Sequence, residues 1–357
     1  MQYLTANYLI ITGIILDRIN QEHLRGNKVV DKEQLEPFRY NIDREPDTQY
    51  HDLLLRIRKS GKKALSGMDS ASEEILGHMM RFDLAEGGFP LITERDLTMG
   101  SSVENIENHE QNPGLRPVTG PIKQALGEII GFMHGARTQE ELEEYGCKFW
   151  KPWTVGEEAE RKAKKRGLAV GDLGPGSYGA AFHDFPDGEK TFDQYANMIE
   201  QIKSRPELRT HIISPFIPPK ISRAPERQQE ALIVPCHGLQ HYNIDTFNQE
   251  ISLVHWQRSA DVPVGLPFNM VHYAALLMMV GQVTGYKPKE LVFQISNAHI
   301  YDQHFDKVDE LLDRKPFPFP RLTIDSSVTK LEDFRAEHFK IQDYVAHPPM
   351  NMGGTPV

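Results

Sequence analysis

The chain has 357 residues, 25% charged and 39% hydrophobic, which is ordinary for a soluble globular protein with a large core. Its formal net charge of −10 argues against broad electrostatic binding to nucleic acid or to an anionic membrane. With only two cysteines, Cys147 and Cys236, it has no disulfide framework and fits a reducing compartment. Because the start lacks a basic, cleavable leader, we expect a cytoplasmic protein.

The N-terminal part of the chain predicts helices, strands and one long loop. Leucines at helical spacing and Pro121 before an apolar helical pattern mark the two helices. The segment rich in Asn, Gly and Pro predicts a surface loop. In chain order, the predictions are an extension over 1–47, a helix over 48–60, a loop over 61–72, strands over 73–93 broken at Gly87 and Gly88, a loop over 99–120 and a helix over 121–135.

The second half of the chain predicts a buried helix between strands. Residues 269–285 are apolar nearly all round, but they are too few for a membrane span and include His272. The other predicted elements are a charged helical turn over 156–167, a Gly-rich loop over 171–179, helices over 191–207 and 304–316, and strands over 208–218, 231–244, 250–258 and 290–301. Because strands and helices do not alternate strictly, we predict an α+β fold.

Residues 233–269 concentrate diverse polar chemistry in a predicted β-hairpin and its exit loop. Cys236 is either a buried inert thiol or a nucleophile whose thiolate is favoured by Arg258 on the paired strand. Arg258 and Ser259 suit a phosphate monoester, or Arg258 forms an ordinary salt bridge. Asn269 either caps the buried helix or uses its amide to bind the edge of a pyrimidine.

Other candidate residues lie outside this hairpin. Glu128 sits on an apolar helix face, where a carboxylate without a partner would have a raised pKa suited to proton transfer. Trp150 is either core or site, and Cys147 is expected to be a buried hydrophobe. His299 and Tyr301 alternate along a strand and therefore face the same side. No cluster of His, Cys and carboxylates at ligand spacing suggests a metal.

The combination resembles the thymidylate synthase family. The residues that carry the resemblance are PCH (235–237), QRSADVPVGLPFN (257–269) and NAHIY (297–301), preceded in the family's order by GEIIGFMHG, FWKPW, GDLGPGSYG and LRTHIIS. It covers roughly residues 48–357 and implies a catalytic domain with insertions near 99–120 and 154–170. It also implies a large mixed sheet packed by helices, with one sheet face forming a homodimer interface.

The resemblance implies one-carbon transfer from 5,10-methylenetetrahydrofolate, as co-substrate, to C5 of a pyrimidine nucleotide. Relatives that act on cytidylate carry Asp at the position of Asn269, so deoxyuridylate is favoured. By resemblance, the catalytic residues are Cys236, Glu128, Tyr178, Arg258 and Asn269; the nucleotide-binding residues are Arg209 (from the partner subunit), Arg258, Ser259, His237, Asn269, His299 and Tyr301; and the folate-binding residues are Trp150, Asp261 and Val357.

The chain departs from the family pattern at several positions. Leu65-Ser66-Gly67 stands where the family has its Arg-Thr-Gly phosphate loop, with Lys62 and Lys63 nearby, and Thr210 replaces the second arginine of a pair. His241 replaces a glutamine and Asn297 an aspartate. We expect methylation to thymidylate; the alternatives are hydroxymethylation of deoxyuridylate and a non-catalytic nucleotide-binding role.

Overall fold

A long mixed sheet and the helix behind it dominate the part of the chain that the structure describes. The computed structural model describes residues 45–65, 70–86 and 88–354, all within one compact unit that spans Asn41–Val357. The predictions for residues 1–44, for Ser66 and Gly67, for Gly87 and for Val357 lie outside these residues.

The α-helices are, in chain order, α1 Gln49–Ser60, α2 Val103–Glu107, α3 Gly120–Met133, α4 Gln139–Glu144, α5 Lys151–Thr154, α6 Glu157–Lys165, α7 Tyr178–His183, α8 Gln194–Ser204, α9 Pro218–Ile221, α10 Leu266–Thr284 and α11 Phe305–Leu312. The strands are β1 Lys62–Leu65, β2 Ala71–Asp83, β3 Arg116–Pro117, β4 Phe185–Asp187, β5 Lys190–Phe192, β6 Ile212–Ile213, β7 Leu239–Asp245, β8 Glu250–Asp261, β9 Lys287–Tyr301, β10 Arg321–Ile324 and β11 Phe339–Gln342.

The main sheet has the strand order β1-β2-β9-β8-β7-β6. Its centre is the parallel pair β8 and β9, and the flanking pairs are antiparallel. Burial alternates along most of β8 because successive side chains point to opposite faces. The register places Ser259 beside Asn297 and Asp261 beside His299 at one end of the sheet. The predicted α+β fold with a large mixed sheet is confirmed.

Helix α10 packs behind this sheet, against β8, β9 and α3. It is apolar nearly all round because neighbours cover it on every side, and it ends at Gly285, whose φ of 84° is the left-handed conformation common after helices. By length and composition alone it could cross a membrane, but 83% of its most apolar window is buried inside the protein.

Helix α3 carries Glu128 into the interior. Pro121 lies in its first turn, and its residues from Ala125 to Met133 are buried. Gly127 lets the chain at Tyr145 come very close, since an added Cβ there would lie 2.0 Å from the Tyr145 carbonyl oxygen. The sequence therefore correctly predicted the helix, and its packing faces Glu128 towards α10.

Several predicted boundaries are wrong in the same way, because apolar runs report burial more directly than they report strands. Residues 89–93 are buried without forming a strand, and the strand expected over 208–218 shrinks to β6. Pro215 and Pro218 in that second segment lack the N–H that a sheet ladder needs. Residues 231–238 are irregular, and β7 starts only at Leu239.

Other segments contain more regular structure than predicted. The expected loop over 61–72 includes β1 and the start of β2, and the loop over 99–120 includes α2 and β3. The helix predicted over 304–316 ends earlier, at Leu312. The charged segment at 156–167 forms α6, with its side chains largely exposed, as predicted.

Candidate active site

Cys236 lies in the irregular segment before β7, and not in a hairpin strand as the sequence predicted. Its carbonyl oxygen accepts the backbone N–H groups of Arg258 and Ser259 on β8, at 2.7 and 3.3 Å. Gly238 turns the chain into β7 with φ +108°, and an added Cβ there would lie 3.0 Å from the Tyr273 hydroxyl. Only glycine adopts this φ without strain, so the sequence holds Cys236 against β8 by a local turn.

The Cys236 thiol is partly buried and faces the guanidinium of Arg258. Arg258 Nη2 lies 3.3 Å from Sγ, while Nε and Nη2 also donate to the carbonyl oxygens of Pro235 and Val234. Burial raises the pKa of the thiol, and the charge on Arg258 acts against that rise. The backbone bonds hold the cation in place, where it favours the nucleophilic thiolate.

Tyr178 connects the Cys236 segment to α7. Its hydroxyl oxygen accepts the Cys236 backbone N–H at 2.7 Å. Its ring stacks on Phe132 and on His237, with centroids 4.8 and 4.5 Å apart. Burial raises the pKa of Tyr178 well above its usual value, so the phenol remains neutral. A hydroxyl that accepts one hydrogen bond keeps its own proton for a second partner.

Glu128 is buried between two nitrogen-bearing side chains. Trp150 Nε1–H donates to Oε1 at 2.5 Å, and His272 Nε2 lies 3.1 Å from Oε2. The carboxylate therefore has neighbours at both oxygens, unlike the unpartnered group considered from the sequence. Trp150 is itself buried, edge-on to the ring of Phe132. The site thus contains a buried carboxylate with a nitrogen-bearing side chain beside each oxygen.

A cluster of buried histidines supports the Cys236 segment from behind. His237 Nδ1 and the Tyr273 hydroxyl are hydrogen-bonded at 2.6 Å, and the Gly238 N–H donates to His255 Nε2 at 3.0 Å. The rings of His237 and His272 have centroids 5.7 Å apart. Burial lowers the pKa of both His237 and His255 well below the usual value. These two imidazoles are therefore neutral hydrogen-bonding groups at neutral pH.

Asn269 lies one turn inside α10, so it is not the helix cap considered from the sequence; Gly265 occupies that position. Gln257 Nε2 donates to Asn269 Oδ1 and to the Ser259 carbonyl oxygen, both at 2.9 Å. Because amide N and O look alike, such a bond is what assigns the orientation of the Asn269 amide. The buried amide thus presents a defined donor and acceptor pair.

A second polar group lies where β9 ends. Asn297 Nδ2 donates to Glu74 Oε2 at 2.7 Å, and its Oδ1 lies 2.9 Å from His299 Nδ1. The His299 and Tyr301 rings meet edge-on with centroids 5.0 Å apart, as their alternation predicted. Burial lowers the pKa of His299 to about 4, so its ring is neutral. These side chains can bind hydroxyl groups.

Asp261 is buried near other buried titratable side chains. His304 Nδ1 lies 3.9 Å from Asp261 Oδ1. Arg95, whose charge acts on Asp261, is buried and donates through Nη2 to the Pro263 carbonyl oxygen at 2.9 Å. Burial raises the pKa of the neighbouring Glu94 to about 7. From the sequence, neither Glu94 nor Arg95 had been assigned to a predicted element or role.

A series of contacts, which begins at the Cys236 backbone N–H and returns to the neighbouring residue His237, joins the predicted nucleophile to the predicted carboxylate. In order, the series contains Cys236, Tyr178, Trp150, Glu128, His272 and His237. It brings residues from five separate segments of the chain into one site with a thiol, a phenol and a carboxylate.

A comparison with known families decides what kind of site this is. The family model described as thymidylate synthase matches residues 107–354, well over half of the chain. The chain belongs to the thymidylate synthase family. The match confirms the resemblance, and it includes Glu128, Cys236 and Asn269. Membership in the thymidylate synthase family supports folate-dependent one-carbon transfer to C5 of deoxyuridylate as the class of reaction.

Some residues with predicted roles remain outside the site. Arg209 is exposed, and the described chain gives it no hydrogen bond or ion pair. Lys62 and Lys63 are exposed on β1, paired in register with Glu74 and Glu73. For these residues, as for the others named from the thymidylate synthase pattern, the individual roles stay predictions.

The sequence also left out residues that complete the site. His272 follows Asn269 by three positions and therefore shares its helix face, which was an available signal. Gln257, directly before Arg258, is buried and fixes Asn269. Tyr273 looked like one more apolar residue of the buried helix, and its hydrogen bond to His237 crosses to another segment.

Proposed function

We propose that this protein methylates deoxyuridylate to thymidylate with 5,10-methylenetetrahydrofolate, through a covalent bond from Cys236 Sγ to C6 of the ring. The observation that carries the proposal is the partly buried thiol with a fixed guanidinium 3.3 Å from its sulfur. A cation at this distance favours the thiolate that must attack.

The other site residues suit the steps that follow. Addition at C6 makes C5 nucleophilic, and C5 then bonds to the methylene carbon of the folate. Glu128, with a neighbour at each oxygen, is placed to organise the proton transfers that release the C5 proton and expel the folate. Hydride from the folate adds to the exocyclic methylene, which completes the methyl group and leaves dihydrofolate. The bond between C6 and the Cys236 sulfur then breaks, which releases thymidylate and restores the thiolate.

Asn269 supports the choice of uracil over cytosine. Uracil presents an N3–H donor next to the O4 acceptor, so it needs an acceptor and a donor side by side. The bond from Gln257 assigns Oδ1 and leaves the Asn269 Nδ2 group to donate to O4. Ser259, His299 and Tyr301 supply hydroxyl and imidazole groups for the phosphate and sugar.

A specific observation favours a second candidate, hydroxymethylation of deoxyuridylate. His272 places a polar, fully buried ring beside Glu128, and its Nδ1 has no hydrogen-bond partner in the described part of the chain. Such a group can hold a water molecule. Water in place of hydride at the exocyclic methylene would give the hydroxymethyl product and tetrahydrofolate.

We also propose that the protein is a homodimer through the outer face of the sheet. Leu239, Trp256, Gln294 and Met79 lie side by side across four strands, and none of them is fully covered. Three of these four side chains are large and apolar, and partly exposed apolar side chains that include a tryptophan are typical of a protein interface. Arg209 is exposed, as a residue that serves the partner's site would be.

One assay tests the reaction and its product. The protein is incubated with deoxyuridylate and methylenetetrahydrofolate, while dihydrofolate absorbance and the nucleotide product are followed. Dihydrofolate with thymidylate is the expected result. A hydroxymethyl product without dihydrofolate would replace methylation by the second candidate.

Trapping with 5-fluoro-deoxyuridylate and the folate tests the nucleophile. Wild type and Cys147→Ala are expected to form the covalent adduct. Cys236→Ala is not, because the cysteine that remains in this variant, Cys147, is fully buried. If wild type neither traps the adduct nor converts deoxyuridylate, the result would favour a non-catalytic nucleotide-binding role.

Mixing two inactive variants tests the shared site. In a homodimer with Arg209 reaching the partner's site, one site of an Arg209→Ala and Cys236→Ala hybrid contains both native residues, so mixing restores activity. Sedimentation at the 40.7 kDa of one chain would contradict the dimer.

A further inference from the structure

His272 lies beside Glu128 in the interior of the protein. It is fully buried on α10, three positions after Asn269 and on the same helix face. Its Nε2 lies 3.1 Å from Glu128 Oε2, while Trp150 donates to Oε1. The carboxylate of Glu128 thus has a neighbour at each oxygen, His272 on α10 and Trp150 just before α5.

The contact between His272 and Glu128 is close, but its direction is not that of a good hydrogen bond. The two atoms are at hydrogen-bonding distance, but Nε2, like Nδ1, lacks a well-directed partner in the described chain. Burying an imidazole without partners is costly, so both nitrogens are expected to gain bonds in the working site. Catalytic hydrogen bonds are often loose in a free enzyme and tighten when substrate binds.

The groups around His272 are compatible with the tautomer that carries its hydrogen on Nε2. His237 lies across from it on the Cys236 segment, His255 on β8 and Tyr273 on its own helix. Burial keeps His237 and His255 neutral by lowering the pKa of each well below its usual value. Glu128 on α3 attracts a proton on the facing nitrogen, so Nε2 is the nitrogen suited to carry it.

We infer that His272 is a positioning residue for Glu128: its Nε2–H donates to Oε2 and holds the carboxylate in the direction needed for proton transfer. The inference rests on the proposed function and adds to it the residue that orients Glu128, the acid–base group. Because His272 is behind Glu128 and fully buried, it acts on the proton steps and leaves nucleotide binding unchanged.

A pair of substitutions separates the hydrogen bond from the volume of the ring. His272→Phe fills the space without a donor, whereas His272→Gln keeps a donor near the position of Nε2. The matched control is His134→Phe, since His134 stacks on Tyr145 at the end of α3 and has no contact with Glu128. The readout is tritium release from 5-tritiated deoxyuridylate, with kcat and KM measured separately.

His272→Phe is expected to lower kcat about 10- to 100-fold, the range for losing a hydrogen bond to a charged group, with KM for deoxyuridylate unchanged. His272→Gln is expected to recover most of the loss, and His134→Phe to match wild type. Equal losses in His272→Phe and His272→Gln, or none in either, would overturn the inference.

A measurement without substrate keeps this result separate from the proposed function. Urea midpoints are compared for His272→Phe, Glu128→Gln and the double variant. Non-additive shifts are expected if the two side chains are bonded, and additive shifts would overturn the inference. If wild type releases no tritium while the shifts are non-additive, the proposed function fails and the His272–Glu128 pairing stands.

Discussion

The Cys236 and Glu128 ends of the site are held in opposite ways. Cys236 is partly exposed, and a full positive charge on Arg258 lies 3.3 Å from its sulfur. Glu128 is buried, and its oxygens face the nitrogens of Trp150 and His272. One end is governed by a charge and the other by the direction of hydrogen-bonding groups.

The difference follows from what each group must do. A thiol needs a stabilised anion to attack, and a nearby cation lowers the cost of forming it. A carboxylate that takes up and releases protons must stay able to do both, so directional hydrogen bonds suit it better than a fixed opposite charge. The two ends should therefore respond to different substitutions.

The largest effect is expected from Arg258→Gln. It removes the group that lowers the pKa of Cys236, so that pKa rises, and the rate of covalent adduct formation should fall about 100-fold at neutral pH. Arg258→Lys should recover part of the rate. The measurement is alkylation of Cys236 by iodoacetamide against pH, whose profile should move to higher pH.

This experiment is done in a Cys147→Ala background, so that Cys236 is the one cysteine present. A profile that stays in place in Arg258→Gln would show that Arg258 does not tune the thiol. The Cys236 end of the site would then not be governed by a nearby charge.

A smaller effect is expected from Trp150→Phe, which keeps an aromatic ring and removes the donor to Glu128 Oε1. Turnover should fall about tenfold, since a hydrogen bond to a charged group is lost while His272 remains. Alkylation of Cys236 should be unchanged. A matching change in alkylation would show that the ends are not independent.

Tyr178→Phe tests the residue that touches both ends, and a still smaller effect is expected. It removes the hydroxyl that accepts the Cys236 N–H, a neutral hydrogen bond, so the loss should be about fivefold. Adduct formation and turnover should fall by similar factors. A loss in turnover alone would assign Tyr178 to the proton steps instead.

Glu94→Gln should have the smallest effect on turnover and a clear effect on stability. Burial raises the pKa of Glu94 to about 7 from 4.5, so the folded state retains a proton that the unfolded state releases. Stability from this group is full below the unfolded pKa and is lost as pH rises towards 7, by up to about 3 kcal/mol. Gln should flatten this dependence, measured as unfolding free energy at pH 5 and pH 8; an unchanged slope would contradict the assignment.

Local patterns were enough to predict the main elements and the chemistry of the Cys236 segment. Helix α3 showed its helical spacing and α10 its apolar length, because these depend on residues near in the chain. The strand predicted over 208–218 failed because burial alone makes a run apolar. The position of Asn269 within α10 was also missed, because the helix already begins at Leu266 and has Pro267 in its first turn, where a proline is tolerated.

The site itself was predicted only in part. The motif around Cys236, Arg258 and Asn269 is local, so its residues could be named from their spacing. The contacts of Glu128 with Trp150 and His272 cross 22 and 144 positions, and no local pattern contains them. Gln257 was unremarked because its partner, Asn269, lies across a turn whose geometry the sequence does not show.

By itself, the sequence determined the α+β class, the family and the reactive residue types. These follow from periodicity and from fixed spacing within short segments. The tertiary structure alone decided that Arg258 faces the sulfur of Cys236, that Glu128 is bounded on both sides and that His237 and His255 are neutral. The physical reason is that distance and burial set the strength of charges and hydrogen bonds, and both arise only when distant segments pack.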